Sequence, residues 1–384
     1  MFKISLLSIS LLTIMAGAAV APGLGEIAQA FPGESQTMIK LILSVPPLFI
    51  VPFSILSGIL SSRISKKKLL LAGLVVYIIG GFGAAFTDSL IPLLVFRAVL
   101  GAGTGIILPL STGLIADFYQ GGERMKMLGY SFSANNLGAI IGNLGAGMLA
   151  LINWHYVFYV YLIAILVLVL VALFIKGIPS PEKQAEAHNK TALPGPVYGW
   201  AFAAFLFMLA FYAIVTNLSL LIYSRNIGDS SFAGILFAIN AVSMFAGGFS
   251  LKAASQYLNR LLPCCMLLMM AVGYSGLGVC YSQTILILSI IIAGFGSGWA
   301  YPFIINKASA YAPMGKNIAV MAVVSSAAFL GQFASPLILD TLHNVSGGTV
   351  TTIFFTLAGC MGLLAVISLS GTFSKSLPNQ REEQ

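Results

Sequence analysis

Apolar residues fill this chain in long unbroken runs, each closed by a few polar or turn-forming residues. A helix of about 20 apolar residues is what it takes to cross a bilayer, and the pattern predicts twelve of them. These spans, numbered 1 to 12 in order, lie near 4–30, 37–61, 68–87, 90–118, 125–151, 154–176, 198–223, 230–253, 260–281, 284–311, 316–341 and 348–373. The first starts at Lys3 and contains Ala16-Gly17-Ala18-Ala19-Val20-Ala21, which imitates a secretory leader with its small-residue cleavage site. Its apolar run continues past Pro22 towards Ile27 and Ala30, so it reads as a transmembrane helix. The one sizeable polar insertion, 177–197, holds Pro179, Pro181, Glu182, Lys183, Glu186, His188, Lys190, Pro194 and Pro196 and reads as a linker. It separates an N-terminal six-helix bundle, 1–176, from a C-terminal one, 198–384.

Composition excludes a soluble alternative. Of 384 residues, 58% are hydrophobic and 8% charged, where a soluble domain carries roughly 25% charged. Four cysteines in apolar runs make no disulfide framework and read as small core residues. The expected class is an all-α membrane protein. Lys and Arg placement orients it. With the N-terminus in the cytoplasm, 16 of the 19 basic residues fall on that side, Lys40 and Arg225 stay outside, and Arg97 lies within a span. Both termini are then cytoplasmic and the location is the plasma membrane. The formal charge of +8 is a consequence of topology, not a nucleic-acid signal. His155, His188 and His343 lie far apart, no Cys/His spacing suits a metal, and no Walker-type loop occurs. No metal, cofactor or enzymatic activity is expected.

The chain also repeats itself. Gly101-x-Gly103-x-Gly105-x-x-x-Pro109 in span 4 recurs as Gly294-x-Gly296-x-Gly298-x-x-x-Pro302 in span 10, 193 residues later. The same offset carries Ser133, Ala134, Leu137 and Gly138 of span 5 onto Ser326, Ala327, Leu330 and Gly331 of span 11. One small-residue run means close helix packing. Two runs in one register argue for duplicated halves, a transporter architecture with its binding site between the halves near the bilayer midplane.

The loop after span 2, Gly58-Ile-Leu-Ser-Ser62-Arg63-Ile-Ser65-Lys66-Lys67-Lys68, resembles the signature loop of the major facilitator superfamily. That loop usually reads Gly-x-Leu-Ala-Asp-Arg-x-Gly-Arg-Lys, so Ser62 replaces the Asp and Ser65 the second Gly. Arg97, four residues before Gly101, resembles the family's intramembrane Arg motif. Gly138-x-x-x-Gly142-Asn143-x-x-Ala146-Gly147 resembles the antiporter motif Gly-x-x-x-Gly-Pro-x-x-Gly-Gly, with Asn143 for the Pro, while span 11 keeps Pro336 at the matching position. The resemblance covers essentially the whole chain and is most similar to short bacterial drug/proton antiporters. It implies two pseudo-symmetric six-helix bundles, and a cavity lined by spans 1, 4, 7 and 10 with help from 2, 5, 8 and 11. It also implies a cytoplasmic latch in which Arg63 or Lys67 pairs with Asp117. Without the Asp, Ser62 is left to cap the N-terminus of span 11 as a neutral hydroxyl, a weaker hold than a carboxylate on the helix dipole.

Candidate residues follow. Arg97 either bonds to carbonyls of neighbouring helices, or orders the cavity, tunes a protonatable group or meets an anionic substrate. Glu26, near the outer end of span 1, either faces the cavity as a proton carrier or sits solvated at the headgroups, and Asp340 in span 11 has the same two readings. Asp117 is the remaining proton-coupling candidate; acids are scarce for a proton antiporter. Substrate contacts are expected from Tyr212, Asn217, Trp299, Tyr301, Asn136 and Gln332, because aromatic faces suit flat or cationic ligands. Gly138, Gly142 and Gly147 are expected to be mechanical, allowing close approach and bending, so that Gly142→Leu lowers transport in a folded protein. The favoured activity is proton-coupled efflux of small apolar or cationic organic compounds by a monomer. The alternatives are uptake or exchange of an organic anion anchored by Arg97, and a membrane enzyme or sensor without transport.

Overall fold

The computed structural model describes residues 2–61, 63–175, 193–313, 317–346 and 350–369. Ser62 and the linker residues 176–192, with His188, lie outside the described residues.

The described chain is helical, and no strand occurs within it. Span 1 is two helices, α1 (Phe2–Ala18) and α2 (Leu24–Ala30), joined by a 3₁₀ turn at Ala21–Gly23. Pro22 and Gly23 set this break, since proline lacks an N–H and glycine adds backbone freedom. Then come α3 (Gln36–Leu60), α4 (Lys66–Phe82), α5 (Leu90–Phe118), α6 (Gly121–Ala150) and α7 (Ile163–Phe174), which follows a 3₁₀ stretch at Trp154–Leu162. The remainder is α8 (Gly195–Ser224), α9 (Ser230–Leu258), α10 (Leu262–Val279), α11 (Gln283–Ala310), α12 (Asn317–Ser346) and α13 (Val350–Leu369). Ser35 and Ser65 cap α3 and α4, each accepting a backbone N–H three residues on, as N-cap hydroxyls do. Ten stretches among the described residues are long and apolar enough to cross a membrane; Ser230–Val279 contains two of the helices. The 30-residue α6 is not one of the ten; it carries Glu123, Arg124, Lys126 and three asparagines.

The chain forms two compact units. One holds residues 1–191 with 214–238 and 332–338; the other holds 192–213, 239–331 and 339–384. The division therefore cuts α8, α9 and α12 internally rather than running at the linker alone.

Within each unit the repeated glycines do the same work. Cβ atoms on Gly101 and Gly105 would strike the backbone carbonyls of Pro46 and Ile50 on α3, and one on Gly103 would strike Tyr77 and the Gly73 carbonyl on α4. In the other unit, Gly294 and Gly298 face Asn240 and Met244 of α9, while Gly296 faces Met266 of α10. Residues one apart on a helix point about 100° from each other. Every second glycine thus serves a different neighbour, and α5 and α11 each sit wedged between two helices. Gly80 against the Leu100 amide has its counterpart in Gly273 against the Ala293 amide, again 193 residues on. Gly138 meets the Leu11 carbonyl, as Gly331 meets that of Phe205.

Candidate functional site

Arg97 is fully buried. Its Nε donates to the Ile42 carbonyl at 2.8 Å, Nη2 to the Ala16 carbonyl at 2.9 Å and Nη1 to the Tyr161 hydroxyl at 2.8 Å, with the Tyr161 ring 5.4 Å from the guanidinium. The Ile42 carbonyl depends on this donor, while the Ala16 carbonyl also accepts from the Tyr161 hydroxyl at 3.4 Å. Ile42 would bond the N–H of residue 46, which is Pro46 and has none. Ala16 lies in the last turn of α1, where carbonyls lack helical partners. Of the two readings of Arg97, the geometry matches the carbonyl-bonded one: a tie among α1, α3, α5 and the Trp154–Leu162 stretch. Tyr77, edge-on to Tyr161 at 5.8 Å, adds a hydrogen bond to the Leu12 carbonyl at 3.1 Å.

A second polar cluster joins α1, α5 and α6. Ser10 Oγ lies 2.8 Å from Ser111 Oγ and 2.6 Å from Ser131 Oγ, all three buried, and Thr13 donates to Asn135 Oδ1 at 2.8 Å. Sequence reading missed it, although serines on spans 1, 4 and 5 at matching depth are its trace. Asn136 instead turns back onto its own helix, bonding the Phe132 carbonyl at 2.9 Å.

At the break in span 1, Ser219 of α8 donates to the Pro22 carbonyl at 2.7 Å and accepts from the Gly25 amide at 3.1 Å. Glu26 follows, half-buried in the first turn of α2. Asp340 is buried, at 4% exposure, and so is Lys40, at 1%. Lys40 lies in the second turn of α3, inside the predicted span 2.

The latch is corrected too. Asp117 pairs with Lys66, Nζ to Oδ2 2.6 Å, rather than with Arg63 or Lys67. Lys67, a 100° step further round α4, donates to the Ala172 carbonyl of α7 at 2.8 Å, and Arg63 is exposed. Gly58 has open space where a Cβ would be.

Among the substrate candidates, Trp299 is buried with its indole N–H on Ser250 Oγ at 3.0 Å, edge-on to Phe295. Tyr301 stacks on Phe207 at 5.7 Å, and Phe207 on Phe211 at 6.1 Å. That aromatic ladder of α8 and α11 includes two phenylalanines absent from the sequence expectation. Tyr212 is buried in the same unit, and Gln332 is half-buried on α12. Asn217, buried in the other unit, donates to Thr216 Oγ1 at 3.0 Å.

On α6, Gly147 packs against the Ser230 carbonyl and Gly234 of α9, and Gly234 against the Asn143 carbonyl. A Cβ on Gly142 would touch Ala19 Cβ at 3.1 Å and the Met15 side chain at 3.3 Å, whereas one on Gly138 would meet backbone. Gly142→Leu is therefore expected to keep the fold and slow transport several-fold, a methionine yielding where backbone does not. Unchanged flux in proteoliposomes would remove this role.

The Major Facilitator Superfamily profile matches residues 6–336. The chain belongs to the Major Facilitator Superfamily. It is 24% identical to the multidrug efflux protein YfmO of Bacillus subtilis over 334 residues, 85% of this chain and 81% of that one. It is 34% identical to multidrug resistance protein 3 of the same organism over 104 residues, 27% of this chain, and spans only 20% of that protein. The match to the multidrug efflux pump SdrM of Staphylococcus aureus is 29% over 159 residues, covering 41% of this chain and 35% of SdrM. In fold it resembles the nucleoside transporter NupG, with a TM-score of 0.78 at 12% identity, covering 97% of this chain and 100% of NupG. A bacterial homologue of the lysosomal transporter Spinster gives 0.73 at 16%, covering 96% and 94%. The superfamily is one of membrane transporters, so the enzyme reading is the least economical.

Proposed function

We propose that this chain crosses the plasma membrane twelve times with both ends cytoplasmic, and exports small apolar or cationic organic compounds against a proton gradient as a monomer. Two six-helix bundles, 1–176 and 198–384, would rock about a central cavity. The direction and cargo rest on the efflux relatives at low identity.

Coupling rests on one observation: among the described carboxylates, Asp340 alone is buried. Ionisable side chains at membrane depth are rare and mark ion or proton pathways. Asp117 is exposed and Glu26 half-buried, which makes Glu26 the second candidate.

In proteoliposomes with an imposed pH gradient, Asp340→Asn is expected to reduce proton-driven export of a lipophilic cation to the empty-liposome background. Glu26→Gln should lower it less. Full activity in both variants would sink proton coupling through these groups. The anion reading loses Arg97 as its anchor, because that guanidinium is spent on α1, α3 and Tyr161. Among the described residues the other buried cation is Lys40, and anion uptake abolished in Lys40→Met would favour that reading.

A further inference from the structure

We propose that a cavity at the start of α1 and α6 and the end of α5 binds the headgroup of an amine-bearing phospholipid. It has a volume of about 140 Å³ and is lined by Lys3, Tyr119, Glu123, Lys126, Met127 and Tyr130. A cavity of ~150 Å³ takes a benzene, so this one accommodates a phosphate with a two-carbon amine, its outer atoms in the mouth.

Charge defines the ligand. Two ammonium groups and one carboxylate share the space, yet among the described residues none is in an ion pair, not even Glu123 and Lys126 three residues apart on α6. Lys3 instead lies over the Tyr119 ring, 5.7 Å from its centre. Side chains that face a common space without neutralising one another suit a ligand carrying both signs. A phosphodiester would take the lysines, and a primary ammonium would take Glu123 and a tyrosine face. A glycerol headgroup offers Glu123 no cation, and a quaternary amine offers it no N–H.

Position selects a lipid over a soluble zwitterion. The cavity lies where three helices end, the level at which tyrosines and lysines meet headgroups and basic pockets bind them. Exposed apolar side chains stand near the lining residues in sequence on α1 and α6: Ile4 at 57%, Leu128 at 36% and Phe132 at 58%. Acyl chains would lie along these.

The test uses the full chain purified in detergent, with lipid binding read by native mass spectrometry. Phosphatidylethanolamine is expected to bind about tenfold tighter than phosphatidylglycerol or phosphatidylcholine, a difference of about 1.4 kcal/mol. Glu123→Gln should erase the preference over phosphatidylglycerol while retaining binding. Lys3→Met with Lys126→Met should weaken all three lipids. These side chains are exposed, so the variants are expected to fold, which circular dichroism checks. Equal binding of the three lipids, or a preference that survives Glu123→Gln, would overturn the proposal. So would soluble phosphoethanolamine or inorganic phosphate competing as strongly as the lipid, since the occupant would then be a free ion. The binding readout is independent of transport.

Discussion

Arg97→Ala is expected to destabilise the N-terminal helices rather than to alter a transport step. Removing the guanidinium leaves the Ile42 carbonyl and the acceptor side of the Tyr161 hydroxyl without a donor, and the Ala16 carbonyl with only the 3.4 Å bond from Tyr161. Neither carbonyl can turn to its own helix, one facing Pro46 and the other lying at a helix end. A buried polar group left unpaired costs about 1–3 kcal/mol, so these losses cost about 3 kcal/mol, a large part of the ~5–15 kcal/mol that holds a domain together. The measurement is thermal unfolding in detergent, where the midpoint should fall by about 10 °C at the 2–4 °C per kcal/mol of a larger domain. Arg97→Lys should recover part of the loss, because an ammonium can serve the carbonyls but not the flat three-way arrangement. An Arg97→Ala protein with an unshifted midpoint would show that the tie is dispensable.

Much of this was legible in the sequence. The apolar runs mark the helices, and the glycines recurring at a 193-residue offset mark the duplication, because close packing leaves a repeat only glycine satisfies. The facing of those glycines was not legible: a run of small residues says that backbones approach, not which ones. Arg97 drew notice as a charge in a span, but its partners are backbone carbonyls, which every residue carries. Pro46, four residues beyond Ile42, was the available clue. Lys66 as the partner of Asp117 was not legible either: it neighbours Lys67, and only the 100° step between them sends one to Asp117 and the other to Ala172. Asp340 shows the converse. It and its neighbour Leu339 are both buried while Leu337 and Ile338 are exposed, a facing that hydropathy alone does not encode.

The duplication makes a paired prediction. Gly80→Ala and Gly273→Ala should destabilise the two units by similar amounts, because each new methyl would press on the amide of the same helix position, Leu100 in one case and Ala293 in the other. Overlap with backbone is relieved only by moving a whole helix, and overpacking of this kind costs about 1–3 kcal/mol. Gly80→Ala should be the worse of the pair, since its Cβ would meet three backbone atoms of Val99 and Leu100, whereas Gly273 also meets the Ala293 methyl. Gly129→Ala and Gly359→Ala, with open space at both positions, should leave the melting midpoint unchanged or raise it slightly, alanine being the better helix former. Thermal unfolding of the four variants in one detergent checks this. A large loss at Gly80 with none at Gly273 would mean that the second half has drifted from the packing of the first, and that the offset in the sequence outlived the geometry it once served.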